Sequence, residues 1–165
     1  MLEATDRPES LILDQERLPH LATWLPLLRE SLARQGCFRW PLRGGSMLPT
    51  LPSNCEITIV PLPDSLPLGS LIVFAGRDSA LVAHRLVHRT DRYLVAQGDA
   101  RLRPDPWLDP AQVLGLVSIA TFSGRRVWPS RIEALLKWFW VGRAACLWLL
   151  RRARWRVHRW SSQKL

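Results

Sequence analysis

"ALVAHRLVHR", residues 80–89, admits two readings with opposite consequences for the rest of the chain. As a helix it sets His84 and His88 one turn apart on one face, a His-x-x-x-His spacing that a metal ion can bridge. As a strand it sets Val82, His84, Leu86 and His88 on one side of a sheet, with the two rings about 13 Å apart. The neighbours decide for the strand. "CEITIV" (55–60), "SLIVFA" (70–75), "YLVAQ" (93–97) and "VLGLVSIATF" (113–122) are short runs of Val, Ile and Leu separated by Pro, Gly, Asp and Ser. That grammar predicts a compact antiparallel β domain over 37–124. The two histidines then share no metal, and no acidic third ligand stands near them. No metal site is expected.

The flanks read differently. Residues 1–17 form a polar lead, and 18–36 an amphipathic helix with Leu21, Leu25, Leu28 and Leu32 at helical spacing and Gly36 as its stop. Pro26 either kinks this helix or marks its first turn. Residues 1–124 carry 12 Arg or Lys against 13 Asp or Glu, whereas 125–165 carry 11 against 1 and hold six of the nine tryptophans. The basicity therefore belongs to a helical tail at 125–165. In it Leu135, Trp138, Gly142, Ala145 and Leu149 form one side and Glu133, Lys137 and Arg143 the other.

Trp and Arg together suit a membrane interface, so a peripheral, membrane-associated location is expected through 125–165, with 18–36 as a second contact. Packing of the tail on the β core, with solvated charges, is the plainer alternative. Nucleic acid is disfavoured by the acidic balance of the domain and the lack of a nucleic-acid module. No secretory signal is visible at the amino terminus. The most apolar window, 132–150, contains Glu133, Lys137 and Arg143; one central Arg or Lys costs about 2.5–3.5 kcal/mol on insertion, which argues against a span. Cys37, Cys55 and Cys146 are odd in number and match neither a zinc spacing nor a disulfide framework.

The chemistry gathers around "RGGSMLPTL" (43–51), where two glycines precede Ser46 and a proline follows it. Such a stretch suits a tight turn, and equally a turn that holds a hydroxyl outward as a nucleophile. A serine needs a base. Lysine is eliminated by position, since the only two, Lys137 and Lys164, lie in the tail. Of the histidines, His20 and His158 lie in the flanks, which leaves His84 and His88 in the β domain. If "RTDR" (89–92) is a four-residue hairpin turn, His88 pairs with Tyr93 and His84 falls opposite Gln97. Asp99 then shares the face of His84, about 7–8 Å away on the diagonal. A one-residue slip sends Asp99 to the other face. Asp105 follows a loop that returns toward the same place, so two carboxylates compete to orient the imidazole.

In order, "GGSMLPTL", "LGSLIVF", "VAHRLV", "QGDARLRPD" and "VLGLV" resemble the catalytic domain of the signal peptidase family of serine proteases. The chain looks most like the branch found in archaea and the endoplasmic reticulum, in which histidine replaces lysine. The resemblance covers about residues 40–120. It implies a mainly β fold, a coiled antiparallel sheet or partly open barrel, flanked by the N-terminal helix and the basic C-terminal helix. It implies Ser46 as nucleophile, His84 as general base, Asp105 as relay acid and Asp99 as a supporting carboxylate, with no metal or organic cofactor.

Three features depart from the family pattern. "WLPLLRESLARQG" (24–36) stands where members carry a membrane span, "SNCE" (53–56) replaces a Gly-Asp, and Gly44 replaces an assisting serine. The expected activity is a serine endopeptidase cutting signal or leader segments of exported or precursor peptides. The alternatives are a maturation protease dedicated to one peptide, or a non-catalytic, membrane-associated binding module on the same fold.

Overall fold

The computed structural model describes residues 21–76, 80–129 and 138–147. The polar lead at 1–17, the start of the 18–36 helix with His20, and the tail from Trp148 onward with His158 lie outside the described residues, as do Glu133, Leu135 and Lys137.

Helix α1 spans Leu21–Gln35 and turns Leu25 and Leu32 into the core, with Leu28 packed alongside. Trp24 and Leu27 face solvent, and Pro26 sits inside the helix. Gly36 ends it at φ 76°, its N–H donating to the Leu32 carbonyl at 2.9 Å, a left-handed terminus that glycine adopts without strain. Arg29 fastens the helix to the sheet by donating to the carbonyls of Val113, Ala111 and Pro110.

Seven strands follow: β1 Phe38–Leu42, β2 Cys55–Val60, β3 Leu71–Ala75, β4 Leu81–Arg89, β5 Leu94–Gln97, β6 Val113–Phe122 and β7 Arg125–Trp128. All pairs are antiparallel, in the order β1-β2-β6-β3-β4-β5, with β7 on the far end of β6. The fold is thus mainly β, and the sheet does not close into a barrel. β1 and β7 were absent from the sequence reading. Pro41 interrupts β1, which is tolerated because β1 is an edge strand. β7 extends the sheet past residue 124, so the start of the expected helical tail, 125–128, is strand.

β3 is buried on both faces. Leu71, Val73 and Ala75 join the cluster under α1 with Ile57, Ile59 and Val117, while Ile72 and Phe74 join a second cluster with Leu86, Leu94 and Leu108. A strand buried on both faces reads as one continuous apolar run, which is what "LIVFA" is. β6 couples the two halves by pairing with β3 through Val113–Leu116 and with β2 through Leu116–Thr121. At the crossing, a Cβ on Gly115 would lie 2.4 Å from the Val60 carbonyl oxygen and 3.1 Å from a Leu32 methyl.

Gly115→Ala is therefore expected to destabilise the fold by about 1–3 kcal/mol in urea denaturation, since backbone blocks the added methyl. Burial pushes the Cys55 thiol above its ordinary pKa, partly offset by a backbone hydrogen bond. A thiol reagent should accordingly modify exposed Cys37 and Cys146 in the folded protein and reach Cys55 only on unfolding.

Candidate active site

His84 lies in the middle of β4, paired with Ile72 of β3, and is almost fully buried. Its edge meets the Phe74 ring at a centroid distance of 6.0 Å. Both ring nitrogens are engaged. Nδ1 lies 2.6 Å from Asp105 Oδ2 and Nε2 lies 2.9 Å from Ser46 Oγ. An ionised carboxylate only accepts, so Nδ1 carries the proton toward Asp105, and Nε2 offers its lone pair to the Ser46 hydroxyl. Three residues separated by 38 and 21 positions thus form one hydrogen-bonded line.

Ser46 sits in a run of turns at 44–51, half-buried. Gly44 supplies the left-handed step at φ 83°, and buried Met47 and Leu51 anchor the loop in the core. Leu51 donates its N–H to the Met47 carbonyl at 2.9 Å, a local turn that keeps the serine at the loop's shoulder. Asp105 is held by its backbone: its N–H donates to Ala96 O at 2.8 Å, and Leu108 exchanges two hydrogen bonds with Leu94. The loop after β5 therefore runs back beside that strand and brings its carboxylate to the imidazole.

Asp99 has a different task. Its two oxygens accept from Arg85 Nε at 2.9 Å and Nη2 at 2.8 Å, and Thr50 Oγ1 donates to Oδ2 at 2.5 Å. The expected register put Asp99 beside His84; the pairing found is Arg85 with Gln97, and His88 with Val95. The hairpin is tighter than a four-residue "RTDR" loop. Thr90 N–H donates to Tyr93 O at 2.9 Å, leaving Asp91 and Arg92 at the tip, and a bulge between Leu86 and His88 takes back one residue. The net slip of one residue next to the site gives Asp99 to Arg85 rather than to His84.

Gly98 fits against the centre of the arrangement. A Cβ there would stand 2.6 Å from the Ser46 carbonyl oxygen and 3.0 Å from His84 Nε2. Arg85, Thr50 and Gly98 were missed as site residues. The available signal was Arg85 itself, an arginine inside an apolar strand, which needs a buried carboxylate partner. Among the described residues there is no group of three or more His, Cys, Asp or Glu arranged to hold a metal ion.

Comparison with protein-family models, with curated proteins and with solved structures finds no match for the chain.

Two substitutions separate the roles here. Arg85→Met strands the Asp99 carboxylate in a dry site, and a loss of about 3–5 kcal/mol is expected in chemical denaturation. The double variant Arg85→Met with Asp99→Leu should recover part of that loss, because no uncompensated charge remains. Gly98→Ala should move the Ser46 loop, seen as changed backbone NMR shifts at Ser46 and Met47 with β2 unperturbed.

Proposed function

We propose that the chain is a serine endopeptidase of the signal peptidase type, in the branch that uses a Ser-His-Asp set. The observation that carries this reading is the Ser46–His84–Asp105 line, with 2.9 Å and 2.6 Å links and the imidazole withdrawn from water. The open antiparallel sheet and the order of the motifs along it support the same reading.

In the proposed reaction His84 Nε2 takes the Ser46 proton as Oγ attacks the scissile carbonyl. Asp105 stabilises the imidazolium and keeps Nδ1 protonated. The imidazolium then protonates the leaving amine, and water, activated by the same ring, releases the acyl group. Backbone donors at the serine turn, with the Ser46 N–H among them, would stabilise the oxyanion; one such donor is worth about 2.7–4 kcal/mol. No metal or organic cofactor enters the scheme. The substrate is a signal or leader segment of an exported or precursor peptide, cut after small residues if the pocket follows the family.

A membrane surface is the proposed second partner, met by the basic tail. Trp138 and Phe139, at the start of helical residues 138–147, are exposed, as an interfacial contact requires. Among the described residues no helix is long and apolar enough to cross a membrane. The dedicated-maturation alternative draws on α1, which packs Leu25 and Leu32 on the sheet where family members carry a span.

A fluorophosphonate probe tests the chemistry. The wild-type chain should be labelled at Ser46, and Ser46→Ala and His84→Ala should abolish labelling. Asp105→Asn should slow it by about 10²–10⁴-fold, through the wrong imidazole tautomer. A folded wild-type chain that takes no label points instead to a binding module.

A further inference from the structure

The sequence sets Trp138, Gly142 and Ala145 on one side of the tail helix and Arg143 on the other, and packing on the β core by the apolar side with Arg143 solvated was the alternative to membrane contact. The packing is the reverse: Trp138, Gly142 and Ala145 are exposed, Ala144 is buried, and Arg143 reaches into the β domain. Its Nη2 donates to the Asp99 carbonyl at 2.7 Å and to the Arg101 carbonyl at 3.1 Å. The guanidinium also lies 4.9 Å from the centre of the Trp140 ring, which steadies it from its own helix. Two carbonyls and a ring take the place of water around this cation, a contact that an apolar-face argument does not foresee.

The Asp99 carbonyl and the Ala100 N–H belong to one planar peptide unit. Arg143 holds its oxygen, and its N–H donates to the Ser46 carbonyl at 2.9 Å. A charged donor at one end of a peptide polarises the N–H at the other, and fixes the plane about its axis. The neighbouring Gly98 abuts both Ser46 and His84 Nε2. We infer that Arg143 is a positioning residue: through the Asp99–Ala100 peptide, the docked helix sets the backbone from which Ser46 presents its hydroxyl to His84. This rests on the protease reading for its catalytic consequence, and on geometry alone for the contact.

The side chain of Asp99 is already pinned by Arg85 and Thr50, and Gln97 Nε2 donates to the Arg101 carbonyl at 2.7 Å. Those side-chain contacts do not hold the 99–100 peptide plane itself; its N–H is held by the Ser46 carbonyl, and Arg143 supplies the second restraint, on its oxygen.

The test compares full-length wild type, Arg143→Ala and Arg143→Lys by fluorophosphonate labelling rate and by amide hydrogen exchange resolved at single residues. Arg143→Ala should label about tenfold or more slowly, in line with the cost of small misplacements at a reacting centre. Its Ala100 amide should exchange faster while Ile57 and Val73 keep wild-type protection, and Arg143→Lys should restore part of both effects. Wild-type labelling and Ala100 exchange in Arg143→Ala overturn the inference. So does faster exchange spread over Ile57 and Val73, which would make Arg143 a general stabiliser. Faster Ala100 exchange in a chain whose wild type takes no label upholds the positioning contact and sinks the protease reading instead.

Discussion

The Arg85–Asp99 pair is the constraint on which the site depends. Both groups are out of water, so neither is tolerable without the other, and the pairing distances of 2.8 and 2.9 Å show a two-pronged match of guanidinium to carboxylate. Because side chains alternate along a strand, committing Arg85 to Asp99 commits His84 to the opposite face. There it meets Ser46 and Asp105. The same pair reaches two further segments: Arg85 Nη1 donates to Gly69 O at 2.9 Å, and Thr50 of the serine loop donates to Asp99. One buried charge pair thus ties β4, the loop before β3, the turn after β5 and the serine loop into a single unit.

Around that unit the division of labour follows from the rigidity of each element. His84 is on the buried stretch of β4, its ring out of water and engaged at both nitrogens. Ser46 and Asp105 come from loops, but Asp105 is tied by its backbone to Ala96 of β5 and Ser46 to Ala100 in the turn after β5. Arg143 adds a contact from outside the sheet, and it gives the basic segment a physical route to the serine backbone.

Much of this was legible in the chain. Five strands show as Val-, Ile- and Leu-rich runs, with β2 and β6 found at their true limits, because a strand that buries one face or both must supply apolar residues there. β1 and β7 stayed hidden because an edge strand with Pro41 and a terminal strand beginning Arg125-Arg126 carry little apolar signal. Ser46 and His84 were candidates on their own chemistry, a glycine-flanked hydroxyl and, with lysine excluded by position, one of two imidazoles on a strand of the same domain; the family resemblance selected them. The choice between Asp99 and Asp105 was not available from strand periodicity. It turns on a bulge between Leu86 and His88 and on a two-residue hairpin tip, neither of which leaves a mark in the residue pattern. The docking of Arg143 was not foreseen for another reason. Amphipathic analysis assigns a charge to solvent, and it has no term for backbone carbonyls waiting at the end of a loop.

The central claim is that Asp105 holds the His84 imidazole with its proton on Nδ1 and its lone pair aimed at Ser46. Nitrogen-15 NMR of the histidine side chains tests it most directly. For the neutral ring of His84 the account predicts a protonated Nδ1, a bare Nε2 and a strongly downfield Nδ1 proton that disappears in Asp105→Asn. A neutral ring protonated at Nε2, or a His84 signal indifferent to Asp105→Asn, would contradict it.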